Sequence, residues 1–172
     1  RDVRRWREQY GDSAPYVSVN LSGRELANAA FADQVRETFA QYDVNPRWIR
    51  FEVTESSIVE NAEVAASVLA QLRALGVRVY IDDFGTGYSS LSSLHSYPID
   101  SLKIDRSFIS GGDAPAHNWE IVRVIIGLAK ALGLEVIAEG IETSEQLHVI
   151  RGLGCPYGQG YLFSRPVPSE EA

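Results

Sequence analysis

The sequence predicts an α/β fold built on a parallel sheet of about six strands. Two observations carry this. Short β-branched or aromatic runs alternate with helical patterns along the whole chain, the signature of strand–helix–strand units. Polar residues then gather at the C-terminal ends of those runs: Asn20, Glu52 and Glu55, Asp82 and Asp83, Lys103 and Asp105, Glu139, and Gln159. In a parallel sheet all such ends lie on one face, which carries the active site in barrels and the ligand in open sheets. One polar strand end is ordinarily a cap or a turn residue, but six in succession mark a site.

The elements follow in chain order. "RDVRRWREQY" reads as the back half of a helix, without initiator Met or cap, and "GDSAP" ends it. That opening leads us to expect a piece of a longer chain. "YVSVN" (16–20) is the first strand. Ser22-Gly23-Arg24-Glu25 has the form of a capping box and opens a helical stretch to about Tyr42. "WIRFEVT" (48–54) is the second strand, and a helix from about Asn61 to Leu75 is closed by Gly76. "VRVYID" (77–82) is the third strand. A short helical turn around Ser89 to His95 precedes the fourth, "SLKID" (101–105). "IVRVIIGLAKALG" (121–133) is an apolar helix with a terminal glycine, and "LEVIAE" (134–139) is the fifth strand. Thr143-Ser144-Glu145-Gln146 is a second capping box, for a helix ending near Gly154, and "YGQGYLF" (157–163) is the sixth strand.

Composition narrows the function. The 172 residues are 45% hydrophobic, with three Trp, eight Tyr and six Phe, enough for one domain with a real core. A net charge of −7 argues against a nucleic-acid polymer held by surface basic charge. It permits a phosphate ligand where metal ions supply positive charge. The single Cys155 excludes an internal disulfide framework, and no zinc-ligand cluster is visible. No apolar run reaches the roughly 18 residues of a membrane span, and no signal-peptide pattern opens the sequence. The expected setting is the cytoplasm, including the cytoplasmic part of a membrane-anchored protein.

The chemistry centres on "VYIDDFGTGYSSL" (79–91), where a strand-like run ends in two adjacent carboxylates. Burying both is costly unless something positive compensates. Asp82 and Asp83 alone fit a solvated turn before glycine. With Asn20 and Glu52 at equivalent strand ends, the oxygen-only donor set suits Mg²⁺ or Mn²⁺, as two ions with Asp82 bridging. Lys103, between Leu102 and Ile104, fits a salt-bridged residue or one that positions water and offsets phosphate charge. Glu139 ends an apolar strand, where it either pairs with a helix N-terminus or performs chemistry. "GTG" (85–87) lacks the P-loop pattern and is weak evidence for phosphate binding. His95, His117 and His148 share no ligand spacing.

"VSVNLSGREL", "FEVTES", "DDFGTGYSSLSSL", "LKIDRSFI", "VIAEGIET" and "GQGYLFSRPV", in this order, resemble the pattern of the EAL domain family of cyclic di-GMP phosphodiesterases. The resemblance covers essentially the whole chain. It implies a TIM-barrel-like (β/α)8 fold with one antiparallel strand, and metal-dependent hydrolysis of cyclic di-GMP to linear pGpG. It implies Asn20, Glu52, Asp82 and Asp83 as metal ligands, and Glu55 as support for the loop after the "DDFG" strand. Lys103 and Asp105 match the "KID" residues that hold or activate water, Glu139 the catalytic Glu of "AEG", and Glu142 the Glu just after it. Asp105, Glu142 and Gln159 fall on the substrate side. The segment 83–89 matches a loop that couples the site to a homodimer interface, and flanking sensor or GGDEF domains are expected.

One departure is large. The Glu-Ala-Leu motif, with its following Arg, is absent from all 172 residues. In the family its Glu binds metal and its Arg contacts phosphate, on an early strand. The chain is therefore expected to be a single EAL-type domain truncated at its N-terminus, an incomplete barrel with exposed sheet edges, in which residues 1–15 are the remnant of an upstream helix and linker. Two functions remain open: the phosphodiesterase as part of a longer signalling protein, and an inactive module that binds cyclic di-GMP or contacts a partner. Without the resemblance, the strongest competitor is an enolase-like Mg²⁺-dependent lyase, which also uses strand-end carboxylates and a Lys.

Overall fold

The structure, a computed structural model, describes residues 2–59, 62–86, 94–110 and 115–170. Residues 87–93, which hold the last three residues of the expected dimer loop and the start of the helical turn expected around Ser89 to His95, lie outside the described residues, as does Asn61.

Six strands form one parallel sheet in the order β1-β2-β3-β4-β5-β6. They are β1 (Val17–Leu21), β2 (Ile49–Thr54), β3 (Arg78–Phe84), β4 (Ser101–Ile104), β5 (Glu135–Ala138) and β6 (Tyr157–Gly158). Spatial order equals chain order, so among the described strands there is no reversal of the kind that makes a doubly wound sheet. This is the connectivity of a barrel, whose ligands gather at the C-terminal strand ends.

The helices are α1 (Asp2–Tyr10), α2 (Gly23–Leu26), α3 (Phe31–Tyr42), α4 (Glu55–Val59), α5 (Ala62–Ala74), α6 (Arg106–Ile109), α7 (Pro115–Ala131) and α8 (Ser144–Gly152). By contact the chain divides into two compact units, Arg1–Tyr80 with Ser89–Ile99, and Ile81–Tyr88 with Asp100–Ala172. In the first unit α5 buries Ala65, Val68, Leu69 and Leu72, spaced as one helix face requires. In the second, α7 buries Val122, Ile125, Ile126 and Ala129 in the same rhythm. Both capping boxes form. The Ser22 amide donates to Glu25 Oε2 at 2.8 Å, and the Gln146 amide to Thr143 Oγ1 at 3.2 Å.

Four expectations change. The stretch after Ser22 is two helices, because Asn28 Oδ1 accepts the Ala30 amide at 3.1 Å and turns the chain. The third strand runs past Asp82 to Phe84, so the aspartate pair sits inside it. The sixth is only Tyr157–Gly158, since the chain turns back there: the Leu162 amide donates to Ile141 O, and the Phe163 and Ser164 amides donate to Gly160 O. The short helices α4 and α6 were not anticipated from the sequence.

Candidate metal and phosphate site

Two of the expected ligands lie in the first unit. Asn20 of β1 and Glu52 of β2 are direct register partners in parallel strands, Asn20 exposed and Glu52 buried. Glu55, the first residue of α4, is also buried. Of its expected partner loop, residues 87–89 lie outside the described residues.

The second unit gathers the others. Lys103 on β4 is only 3% exposed. Its Nζ lies 3.0 Å from Asp82 Oδ1 and 2.7 Å from Glu139 Oε1. A buried ammonium is tolerable only with such partners. Of the positive charge that the paired aspartates require, one source is therefore Lys103. Carboxylate oxygens of Asp82, Asp83 and Glu139 all lie within 4.8 Å of one another, close enough to share a cation. The set is all oxygen, which fits a hard divalent ion.

Asp83 has a left-handed backbone with φ 52°. Its carbonyl accepts the Thr86 amide at 3.3 Å and hydroxyl at 2.8 Å, turning the chain after the strand. Burial pushes the Asp83 carboxyl above the ordinary carboxylate range, and the charges of Asp82 and Asp105 add to it, against a smaller pull from Lys103. Asp105 caps α6, its Oδ1 accepting the Ser107 amide at 2.9 Å. Burial would raise its carboxyl, but hydrogen bonds from Ser107, Asp83 and the Arg106 backbone outweigh that and hold it below the usual range.

Beside these carboxylates is a cavity of about 240 Å³ whose lining includes Asp83, Asp105, Glu139, Glu142 and Gln159. Its walls are joined by backbone. The Glu139 amide donates to Ile104 O at 3.1 Å, the Gln159 amide to Ala138 O at 2.8 Å, and the Ile141 amide to Gln159 O at 3.0 Å. Every expected residue of this unit except Lys103 and Asp82 lines the cavity, and Lys103 ties Asp82 to the lining residue Glu139. Arg106, Gly140, Gly160 and Tyr161 also line it and were not singled out in the sequence. Position next to "KID", "AEG" and "QG" was the only signal for them. Four carboxylates face one guanidinium there, so a phosphate ligand requires added cations.

The family model described as the EAL domain matches residues 1–166. This chain belongs to the EAL domain family. It is 45% identical over 152 residues to the cyclic di-GMP phosphodiesterase NbdA of Pseudomonas aeruginosa, covering 88% of this chain and 19% of that protein. To the bifunctional diguanylate cyclase/cyclic di-GMP phosphodiesterase MucR of the same organism it is 40% identical over 172 residues, covering 99% of this chain and 25% of that protein. The chain thus spans about a quarter or less of these curated relatives. The solved PaMucR phosphodiesterase in complex with c-di-GMP superposes with a TM-score of 0.92 at 39% identity, covering 99% of this chain and 68% of that one. A calcium and cyclic di-GMP complex of Klebsiella pneumoniae BlrP1 superposes with a TM-score of 0.84 at 27% identity, covering 98% of this chain and 44% of that one. The EAL fold is TIM-barrel-like, as the strand order implies.

Among the described residues no helix is long and apolar enough to cross a membrane.

Proposed function

We propose that this chain is the cyclic di-GMP phosphodiesterase part of a longer signalling polypeptide that carries sensor or GGDEF domains beside it and works in the cytoplasm. One observation carries the reading: the carboxylates of Asp82, Asp83 and Glu139 within 4.8 Å of one another, at an acidic cavity and around a buried Lys103. A dianionic dinucleotide enters such a cavity only with divalent cations. Two Mg²⁺ or Mn²⁺ ions would supply the charge that polarises a phosphodiester and lowers the pKa of water. Asp82 and Asp83 would hold them, and the family resemblance adds Asn20 and Glu52 as ligands.

The remaining residues act on the ligand and the proton. Glu139 accepts the proton that water loses, and Lys103, 2.7 Å from its carboxylate, fixes that carboxylate in place. The water oxygen bonds to phosphorus, the bond to one 3′ oxygen breaks, and that oxygen takes a proton from solvent as Glu139 returns its own to solvent, giving linear pGpG. Asp105, Glu142 and Gln159 bind the substrate from the cavity wall. Glu55 and the loop after Asp83 would link the site to a homodimer interface.

A second reading is a receptor that binds cyclic di-GMP through the same cavity and carboxylates without cutting it. Calorimetric titration with Mn²⁺, then with cyclic di-GMP, followed by chromatography of the products, separates the two. The first reading expects Mn²⁺ binding that Asp82→Asn abolishes, and pGpG formation by the natural polypeptide. Equal Mn²⁺ binding by wild type and Asp82→Asn would sink both readings, and binding without pGpG would leave the receptor.

A further inference from the structure

Gln146 uses its whole amide. Its Oε1 accepts the Glu142 amide at 2.8 Å and the Thr143 amide at 3.0 Å. Its Nε2 donates to the Ile109 carbonyl at 3.1 Å. The first two bonds close the capping box of α8. The third does something a cap does not. It crosses 37 residues to the last residue of α6, the helix that Asp105 opens. One side chain therefore grips both walls of the acidic cavity: the 139–143 loop with Glu139, Gly140 and Glu142, and the 105–109 segment with Asp105 and Arg106.

The walls also touch directly. A Cβ on Gly140 would lie 2.4 Å from the Arg106 Cβ, so there is no slack between them. A cavity lined by close-packed backbone responds to its ties as a unit. We propose that Gln146 is a positioning residue that sets the spacing between Asp105 and Arg106 on one wall and Glu139 and Glu142 on the other, and so the fit of the nucleotide ligand. This rests on the proposed cyclic di-GMP reading for the ligand, though not for the geometry. Gln146 touches no reacting group; it acts through the two walls.

The conservative variant separates the two roles. Gln146→Glu keeps both acceptor bonds, and Glu is a regular capping-box residue that also suits a helix N-terminus. It loses the bond to Ile109 and sets a carboxylate against that carbonyl. Were Gln146 only a cap, Gln146→Glu would be silent in every assay. As a positioning residue, it lowers the melting temperature by no more than the loss of one part-buried hydrogen bond and weakens cyclic di-GMP binding, measured calorimetrically with calcium present, by about tenfold. The Phe108 and Ser110 amides, which hold α6 closed on Asp105 and Arg106, then exchange hydrogen faster. Gln146→Leu loses the cap as well, and so melts lower still. Wild-type affinity and unchanged α6 exchange in Gln146→Glu overturn the proposal. A wild type that binds no cyclic di-GMP overturns the ligand reading instead, and α6 exchange alone then decides the role of Gln146: faster exchange supports it, unchanged exchange refutes it.

Discussion

Asp83 sits in a left-handed backbone conformation with the carboxylates of Asp82 and Asp105 beside it. Asp and Asn tolerate that conformation better than other non-glycine residues, so the backbone does not explain a charged residue here. Its carboxyl is pushed above the ordinary range, first by burial and then by its acidic neighbours. A carboxyl whose folded-state pKa is raised contributes stability below its unfolded pKa and loses that contribution as pH rises through the folded one. At neutral pH without metal, Asp83 is thus a cost to the fold. Asp105 has the opposite sign: its lowered pKa contributes stability above the unfolded value, lost as pH falls through the folded one. Asp83→Asn should therefore raise the melting temperature of the metal-free protein near neutral pH, with a gain that shrinks on acidification through the carboxylate range. Mn²⁺ should stabilise the wild type more than the variant. Scanning calorimetry at several pH values, with and without Mn²⁺, checks both. A lower metal-free melting temperature for Asp83→Asn at neutral pH would show that the carboxylate serves the fold rather than a cation. Asp82, Asp83, Lys103 and Glu139 were legible in the sequence because charge at the end of an apolar strand has few cheap explanations. The contact between Lys103 and the two acids was not, since it depends on which strands become neighbours.

At the scale of elements, the loop after β5 supplies Glu139, Gly140 and Glu142 to the cavity lining, and at Gly140 it presses against α6. The Gly140 φ is +71°, and a Cβ would lie 2.4 Å from Arg106 Cβ and 3.2 Å from Arg106 Cα. The second of these atoms is backbone and cannot swing away, so Gly140→Ala must displace the start of α6. Overpacking costs about 1–3 kcal/mol, and the left-handed backbone adds roughly 1 kcal/mol. Gly133 is the control: its φ is +70°, but nothing lies within 4 Å of its Cβ position. Gly133→Ala should show only the backbone part. Denaturant unfolding of both should find Gly140→Ala the more destabilised, with weakened cyclic di-GMP binding that Gly133→Ala lacks. Equal losses would mean that the wall contact carries no energy. The order of β1 to β6 with their long helices was readable because α5 and α7 repeat apolar residues on one helical face and the strands are β-branched. The break at Asn28, the cap by Asp105 and the early end of β6 were not, because each is set by a local side-chain or backbone bond that periodicity does not record. Gln146 was read only as a cap for the same reason: its bond to Ile109 spans elements.

For the whole molecule, the question is what these residues achieve without a Glu-Ala-Leu segment. The chain covers 68% of the solved PaMucR phosphodiesterase, and no Glu-Ala-Leu triplet occurs in its 172 residues. The family resemblance assigns that Glu to a metal and the following Arg to the substrate phosphate. Their absence removes one carboxylate ligand and one guanidinium clamp, while the second unit keeps Asp82, Asp83, Lys103, Asp105, Glu139 and Gln159. Misplacing a reacting phosphate by about an ångström costs on the order of a hundredfold in rate. Loss of an electrostatic stabiliser costs roughly another hundred- to thousandfold. The 172-residue chain alone should therefore form pGpG at least a thousandfold or so more slowly than a polypeptide that carries a Glu-Ala-Leu-x-Arg segment ahead of the same sequence. Binding should be lost less than turnover, because every cavity-lining residue of the second unit is present in both. Chromatographic turnover at saturating Mg²⁺ or Mn²⁺, beside calorimetric affinity for cyclic di-GMP, measures the two losses separately. Comparable turnover numbers would show that Asp82, Asp83 and Glu139 suffice to hold the cations, and that the guanidinium needed at the phosphate is already in the cavity, as Arg106.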